Sequence, residues 1–199
     1  MHILIIHQAF SSLEDAGGTR HYEMARYLRE KGHEVTVIAS PVNYLTGKSS
    51  SRGKWIDRQV DENGIEILRA YTYAAWHRSF FHRIITFITF MVSSFFAALS
   101  VRKVDFVWGT SPPIFQGITA WLAARLKGAL FLFEVRDLWP EFAIAVGVLK
   151  NPVIIYLSRW LEKFLYSHAD QVIVNSPGYL DYVKSRGARS VRLIPNGAD

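Results

Sequence analysis

The 199-residue sequence contains no cysteine. That absence removes disulfides, thiolate metal sites and thiol nucleophiles, and fits a reducing compartment. The nucleotide-binding signatures GxGxxG and GxxxxGK[ST] are also missing. Seven histidines are present, but none stands at metal-ligand spacing, so no zinc site and no cofactor are expected. No basic stretch or small-residue cleavage site accompanies the first apolar run, which reads as a buried strand rather than a signal peptide. There is no internal repeat. Acidic residues are absent from one long window: residues 67–104 hold none, against five fixed cations, Arg69, Arg78, Arg83, Arg102 and Lys103. Of the net charge of +6, that window supplies all but one unit, so the basicity is local. Because these cations interleave with an apolar stretch, they do not form the basic surface of a nucleic-acid binder.

What the sequence does have is a globular composition, with 50% hydrophobic and 20% charged residues. An apolar run at 3–6 is followed by Gly17-Gly18, then by His21, Met24, Ala25 and Leu28 at helical spacing, with Gly32 as the stop. Residues 34–39 complete a βαβ unit. Residues 41–63 lack periodicity and read as a loop. Further strands are expected at 65–70, 104–109, 129–135, 171–175 and 190–194, most of them separated by helical patterns. The alternation predicts an α/β fold, a doubly wound Rossmann-like parallel sheet of about six or seven strands with helices on both faces and ligands at the carboxyl ends of the strands. Asn151-Pro152 opens the clearest helix. Its periodicity places Val153, Tyr156, Leu157, Trp160, Leu161, Phe164 and Leu165 on one face, with Arg159, Glu162 and Lys163 opposite.

Residues 84–101 run uncharged over roughly 27 Å of helix, at the lower limit for crossing a bilayer. A crossing would put strands of one sheet on opposite sides of a membrane, so a helix lying on the domain is expected. Its polar positions are all small, which leaves one apolar side after packing on the sheet. With Trp76, Arg78, Phe81, Arg83 and Phe87 before or within it and Arg102-Lys103 after it, this helix resembles an interfacial element facing an anionic membrane surface, the alternatives being a partner-facing helix and one wholly in the core.

Three clusters are candidates for chemistry. Gly17-Gly18, between the first strand and helix, leaves room for a phosphate at a helix N-terminus, though a tight turn explains the pair equally well. Glu134, Arg136 and Asp137 arrive at a strand end, either as ligand contacts or as a loop-fixing ion pair. Ser111 offers a hydroxyl at the same edge or an N-cap.

The segments His2-Ile3-Leu4-Ile5-Ile6, Gly17-Gly18-Thr19-Arg20-His21, Gly32-His33-Glu34-Val35-Thr36-Val37, Ala169-Asp170-Gln171-Val172-Ile173-Val174-Asn175-Ser176 and Ile194-Pro195-Asn196-Gly197 together resemble the N-terminal domain of family 4 glycosyltransferases of the GT-B fold. The run Val135-Arg136-Asp137-Leu138-Trp139-Pro140 looks closest to the bacterial branch that builds capsule, O-antigen or colanic-acid-like polysaccharides. The resemblance implies an acceptor-side domain at 1–195, the start of an interdomain linker at 196–199, and a donor-binding domain beyond it, without which the 199 residues are inactive. It implies retaining transfer from a nucleotide sugar with no required metal, to an acceptor that in this family is often lipid-linked, on the cytoplasmic face of the cell membrane. By the same resemblance the Gly17-Gly18 loop contacts the donor diphosphate, and Glu134 and Asp137 line the acceptor side; Arg20 and Ser111 are counted with them as substrate-binding residues. Asp137 orients an acceptor hydroxyl, and Arg136 stands where many members carry histidine. The alternative is a non-catalytic membrane-docking subunit whose partner chain supplies the donor domain.

Overall fold

The computed structural model describes residues 1–12, 17–43, 45–50, 53–74 and 80–197, with the backbone alone for Phe80 and Phe81. Trp76 and Arg78 lie outside the described residues, as does the Phe81 side chain.

Five short apolar runs build the centre of the sheet: β1 (His2–Ile6), β2 (Glu34–Ala39), β5 (Phe106–Ser111), β6 (Leu130–Val135) and β7 (Gln171–Val174). All five residues of β1 are buried, as a strand covered on both faces requires. With β3 (Ile56–Val60), β4 (Glu66–Ala70) and β8 (Val191–Leu193), the order across the sheet is β3-β4-β2-β1-β5-β6-β7-β8. All neighbours are parallel except β3 and β4. The chain runs outward from β1 in one direction through β2 and β4, then in the other from β5, so the switch point lies between β1 and β5.

The eighth strand corrects the expected loop at 41–63. β3 is a half-buried edge strand of mixed polarity, joined to β4 by a turn in which Asp61 Oδ1 accepts from the backbone N–H of Asn63 and Ile65, with Gly64 at φ +73°. Polar residues on an edge strand suppress the alternation a sequence reading looks for, and they also protect the edge from pairing with other chains.

α1 (Arg20–Glu30) packs on one face of the sheet through Tyr22 and Ala25. α2 (Phe80–Ser100), α3 (Phe115–Lys127), α5 (Pro152–His168) and α6 (Leu180–Ser185) pack on the other, and the short α4 (Glu141–Ala145) stands between β6 and α5 in the chain. Two glycines let α3 lie close to its neighbours. A Cβ on Gly109 would stand 2.6 Å from Ala120 Cβ, and one on Gly117 would stand 2.6 Å from Leu165 Cδ1.

α2 buries Phe90, Ser93, Ser94, Ala97 and Ala98 and turns Ile88, Val92, Phe96 and Leu99 outward. Its hydroxyls bond backbone carbonyls: Thr89 Oγ1 donates to Ile85 O, and Ser93 Oγ donates to Phe90 O and Tyr71 O. By length and composition His82–Ser100 could cross a membrane, yet only 28% of its most apolar window is buried, less than a core helix requires.

α5 departs from expectation. Asn151 caps it as predicted, Oδ1 accepting from the N–H of Val153 and Ile154. Val153, Tyr156, Leu157 and Trp160 are exposed, however, and Glu162, expected outside, is fully buried. The core-facing side is set by Leu165 and Tyr166, and Glu162 shares it because Tyr182 donates to its Oε2 at 3.2 Å and Arg186 stands 4.0 Å away. Burial raises the Glu162 carboxyl to about 7, against the opposing pull of Tyr182 and Arg186. A carboxyl raised on folding contributes stability fully below its unfolded value near 4.5 and loses that contribution as the pH rises through about 7. Glu162→Gln is therefore expected to be more stable than the parent by about 2 kcal/mol at pH 8 and to match it near pH 4. Urea midpoints at the two pH values check this, and an identical difference at both would reject it.

Candidate functional site

The carboxyl ends of β1, β5 and β6 stand side by side at the switch point and deliver His7, Thr110 and Glu134. Thr110 pairs with Glu134 across the β5–β6 register, and both side chains lie on the α1 side of the sheet. His7 Nδ1 lies 2.7 Å from Thr110 Oγ1, and the His7 ring lies against that of His21, tilted by 34° with centroids 4.0 Å apart. Burial, with the nearby charges of His21 and Arg136, pushes His7 well below its usual value near 6.5, so this imidazole is neutral at physiological pH.

Glu134 is completely buried, and both its oxygens are engaged. His21 Nε2 donates to Oε2 at 2.6 Å, and Arg20 Nε donates to Oε1 at 3.0 Å. Burial alone would raise this carboxyl, but the hydrogen bond and charge of His21, with Arg20, outweigh it and hold Glu134 below 4.5. Arg20 also donates through Nη1 to Pro195 O and through Nη2 to Ile194 O, both at 2.8 Å. One arginine thus joins the first turn of α1, the end of β6 and the segment after β8.

Outside this buried set opens a cavity of about 560 Å³. His7, Gln8, Gly18, Arg136 and Asp137 line its sheet side, and Arg83, Thr86 and Phe87 bring the first turns of α2 to its other side. The Oε1 of Gln8 and the Nε of Arg136 are buried without a protein partner among the described residues. Arg136 is held from behind by its backbone N–H, which donates to Ser111 O at 3.1 Å, while Asp137 is exposed. Gly17 has φ +150°, in the region that favours glycine. A Cβ on Gly18 would meet no atom within 4 Å, so that position faces open space. A second cavity of about 330 Å³, lined by Ser11, Lys48, Gln59 and Arg69, adjoins the first through Gln8, Ser40 and Asn43.

The structure therefore gathers Gly18, Arg136 and Asp137 into one cavity, together with Arg83 and Phe87, which the sequence placed at a membrane surface. Gly17 leads into that cavity without lining it. Ser111 is buried and supports Arg136 through its carbonyl, and Arg20 and Glu134 lie behind the cavity as a bonded pair. His7 and Gln8 are site residues the sequence reading passed over, although they follow β1 as Arg136 follows β6. A polar pair directly after a wholly apolar strand was the available signal. Among the described residues no group of three or more histidine, aspartate or glutamate side chains is placed to hold a metal ion.

A cavity at the switch point of a doubly wound sheet, with a neutral imidazole, a guanidinium and a carboxylate around it, is suited to a polar ligand carrying negative charge. The chain is 26% identical over 187 residues to WcaI of Escherichia coli, which is assigned by name as a colanic acid biosynthesis glycosyl transferase. The match covers 89% of this chain and 45% of that protein. The fold superposes on sucrose-phosphate synthase from Thermosynechococcus elongatus with a TM-score of 0.69 at 16% identity, over 100% of this chain and 48% of that one. It also superposes on Arabidopsis thaliana UGT89C1, solved with UDP, with a TM-score of 0.58 at 13% identity, over 100% of this chain and 49% of that one. The chain thus spans about half the length of these relatives. Residues 16–197 match the family model described as a glycosyl transferase 4-like domain, and the chain belongs to that family as the N-terminal domain of a GT-B glycosyltransferase.

Proposed function

We propose that this domain holds the acceptor in a retaining hexosyl transfer from a nucleotide sugar to a lipid-linked saccharide, in cell-surface polysaccharide synthesis at the inner face of the cell membrane. The observation that carries the reading is the shared cavity, in which α2 supplies Arg83 and Phe87 opposite Arg136 and Asp137. A ligand with an apolar tail and a charged, hydroxyl-rich head needs both kinds of wall, and the outward stripe of α2 continues from the apolar one.

On this reading Asp137 accepts a hydrogen bond from the attacking acceptor hydroxyl. Arg136 and the backbone N–H groups beside Gly18 meet the negative charge that develops on the leaving diphosphate, where fixed donors act most strongly. Neutral His7 offers a ring nitrogen without adding charge. The remainder of the donor is held by the second domain of the fold. A purely docking subunit would need the outward face of α2 but not a guanidinium and a carboxylate in a cavity, so the catalytic reading is favoured.

The test uses the polypeptide carrying both halves of the fold. Arg83→Glu is expected to raise KM for a lipid-linked acceptor about tenfold, equivalent to ~1.4 kcal/mol, and to leave KM for a lipid-free analogue unchanged. Equal effects on both acceptors would reject the lipid-facing role.

A further inference from the structure

A second run of exposed apolar side chains, apart from the cavity, lies on α4, α5 and the turn between them. Phe142, Val148, Val153, Tyr156, Leu157 and Trp160 are all exposed, Tyr156 by 69%. Contacts with α3 show why these residues find nothing to pack on. α5 meets α3 through Leu165 at Gly117 and Phe164 at Trp121. Val153 stands about 18 Å of helix before Leu165, whereas α3 starts only about 3 Å before Gly117. The first turns of α5 therefore extend past the start of α3. α2 does the same: it runs alongside α3, with Phe87 beside Phe115 and Thr119 Oγ1 donating to Met91 O, and its first residue lies about 10 Å of helix before Phe87. Both extensions lie on the side of the sheet opposite α1 and at the edge where the cavity opens.

Charge identifies the occupant. No acidic residue occurs from 142 to 161. Of the two flanking carboxylates, Glu141 is shared by Arg159 at 2.9 Å and Arg186 at 3.3 Å, and Glu162 is buried. Lys150 and Lys163 are exposed beside the apolar ridge, so its rim is cationic. Two copies meeting through this ridge about a two-fold axis would bring like charges together, whereas anionic headgroups would neutralise them. Tyrosine and tryptophan on the ridge suit the boundary between headgroups and acyl chains.

We propose that the outward ridge of α5, with the α4–α5 turn, is a second membrane contact of this chain, seated in the headgroup layer of an anionic bilayer beside α2. The inference rests on the reading of α2 as a membrane-facing helix, and it adds a second point of support. Two separated contacts fix the tilt of the domain on the surface and hold the mouth of the cavity at the lipid.

Flotation of the full chain with phosphatidylcholine vesicles containing about one third phosphatidylglycerol tests the proposal. Tyr156→Ser/Leu157→Ser is expected to lower partitioning at least about tenfold with an unchanged circular dichroism spectrum, because both side chains are exposed. Lys150→Glu/Lys163→Glu is expected to lower it on the anionic vesicles and not on pure phosphatidylcholine. Val92→Ser/Phe96→Ser reports on α2 separately. If the α5 variants float like the parent while the α2 variant does not, the second contact is refuted and the α2 reading stands. If the parent itself stays with the soluble fraction, both fail. A parent that sediments as a dimer dispersed by Leu157→Ser would make a second copy the occupant, and that too overturns the proposal.

Discussion

Glu134→Ala is expected to destabilise the domain by about 3–5 kcal/mol at pH 7, the largest single effect on stability, because it leaves Arg20 and His21 at a buried site without their counter-charge. The parent carboxylate is fully buried and accepts from both partners, so no solvent replaces it. Glu134→Gln keeps the shape and removes the charge, and an intermediate loss is expected. The pH dependence follows from the lowered carboxyl. A carboxyl depressed on folding contributes stability above its unfolded value near 4.5 and loses it as the pH falls through the folded value. The gap between parent and Glu134→Gln should therefore close in acid. Urea midpoints measure both effects. A loss below about 1 kcal/mol for the alanine variant would mean that the buried charge contributes nothing beyond an ordinary hydrogen bond.

Loss of transfer is the second large effect. In the polypeptide carrying both halves, Asp137→Ala and Gly18→Leu are each expected to lower the rate at least about 100-fold, the scale of removing a positioned proton acceptor or blocking a pre-formed anion contact. Neither change should disturb folding, since Asp137 is exposed and a Cβ at Gly18 meets nothing within 4 Å. Gly18 is thus the informative glycine of its pair, for a substitution at Gly17 would also strain a backbone at φ +150°. Consumption of the nucleotide sugar, followed with and without acceptor, separates the variants: Gly18→Leu should fail in both conditions, Asp137→Ala chiefly with acceptor present. Full activity in both would remove the site assignment.

Features fixed by neighbouring residues were legible in the sequence. The apolar run of β1, the stop of α1 at Gly32 with φ +81°, and the Asn151-Pro152 start of α5 each depend on backbone chemistry within a few positions. β3 was not legible, because an edge strand of mixed polarity carries no strong period. For α5 the periodicity gave the helix but not its rotation, since the groups that draw Glu162 inward, Tyr182 and Arg186, lie on α6 and just beyond it. At the site, strand-end reasoning located Arg136 and Asp137. It also marked Glu134, whose contacts run to Arg20 and His21, partners more than a hundred residues away. No local pattern encodes a pairing at that separation.

The three-way grip of Arg20 has a consequence for the order in which the molecule is made. Glu134 follows Arg20 by 114 residues and Ile194 follows it by 174. At roughly 5–20 residues per second, a ribosome delivers Glu134 about ten seconds after α1 has emerged. Through that interval α1 can rest its apolar side on β1 and β2, but Arg20 and His21 have no acceptor to close on. Until then the first βαβ unit lacks the carboxylate that these two side chains bond in the finished sheet. The arrival of β6 supplies the carboxylate, and the segment after β8 later brings two carbonyls to the same arginine, so this sheet is closed from both sides on one residue of its first helix.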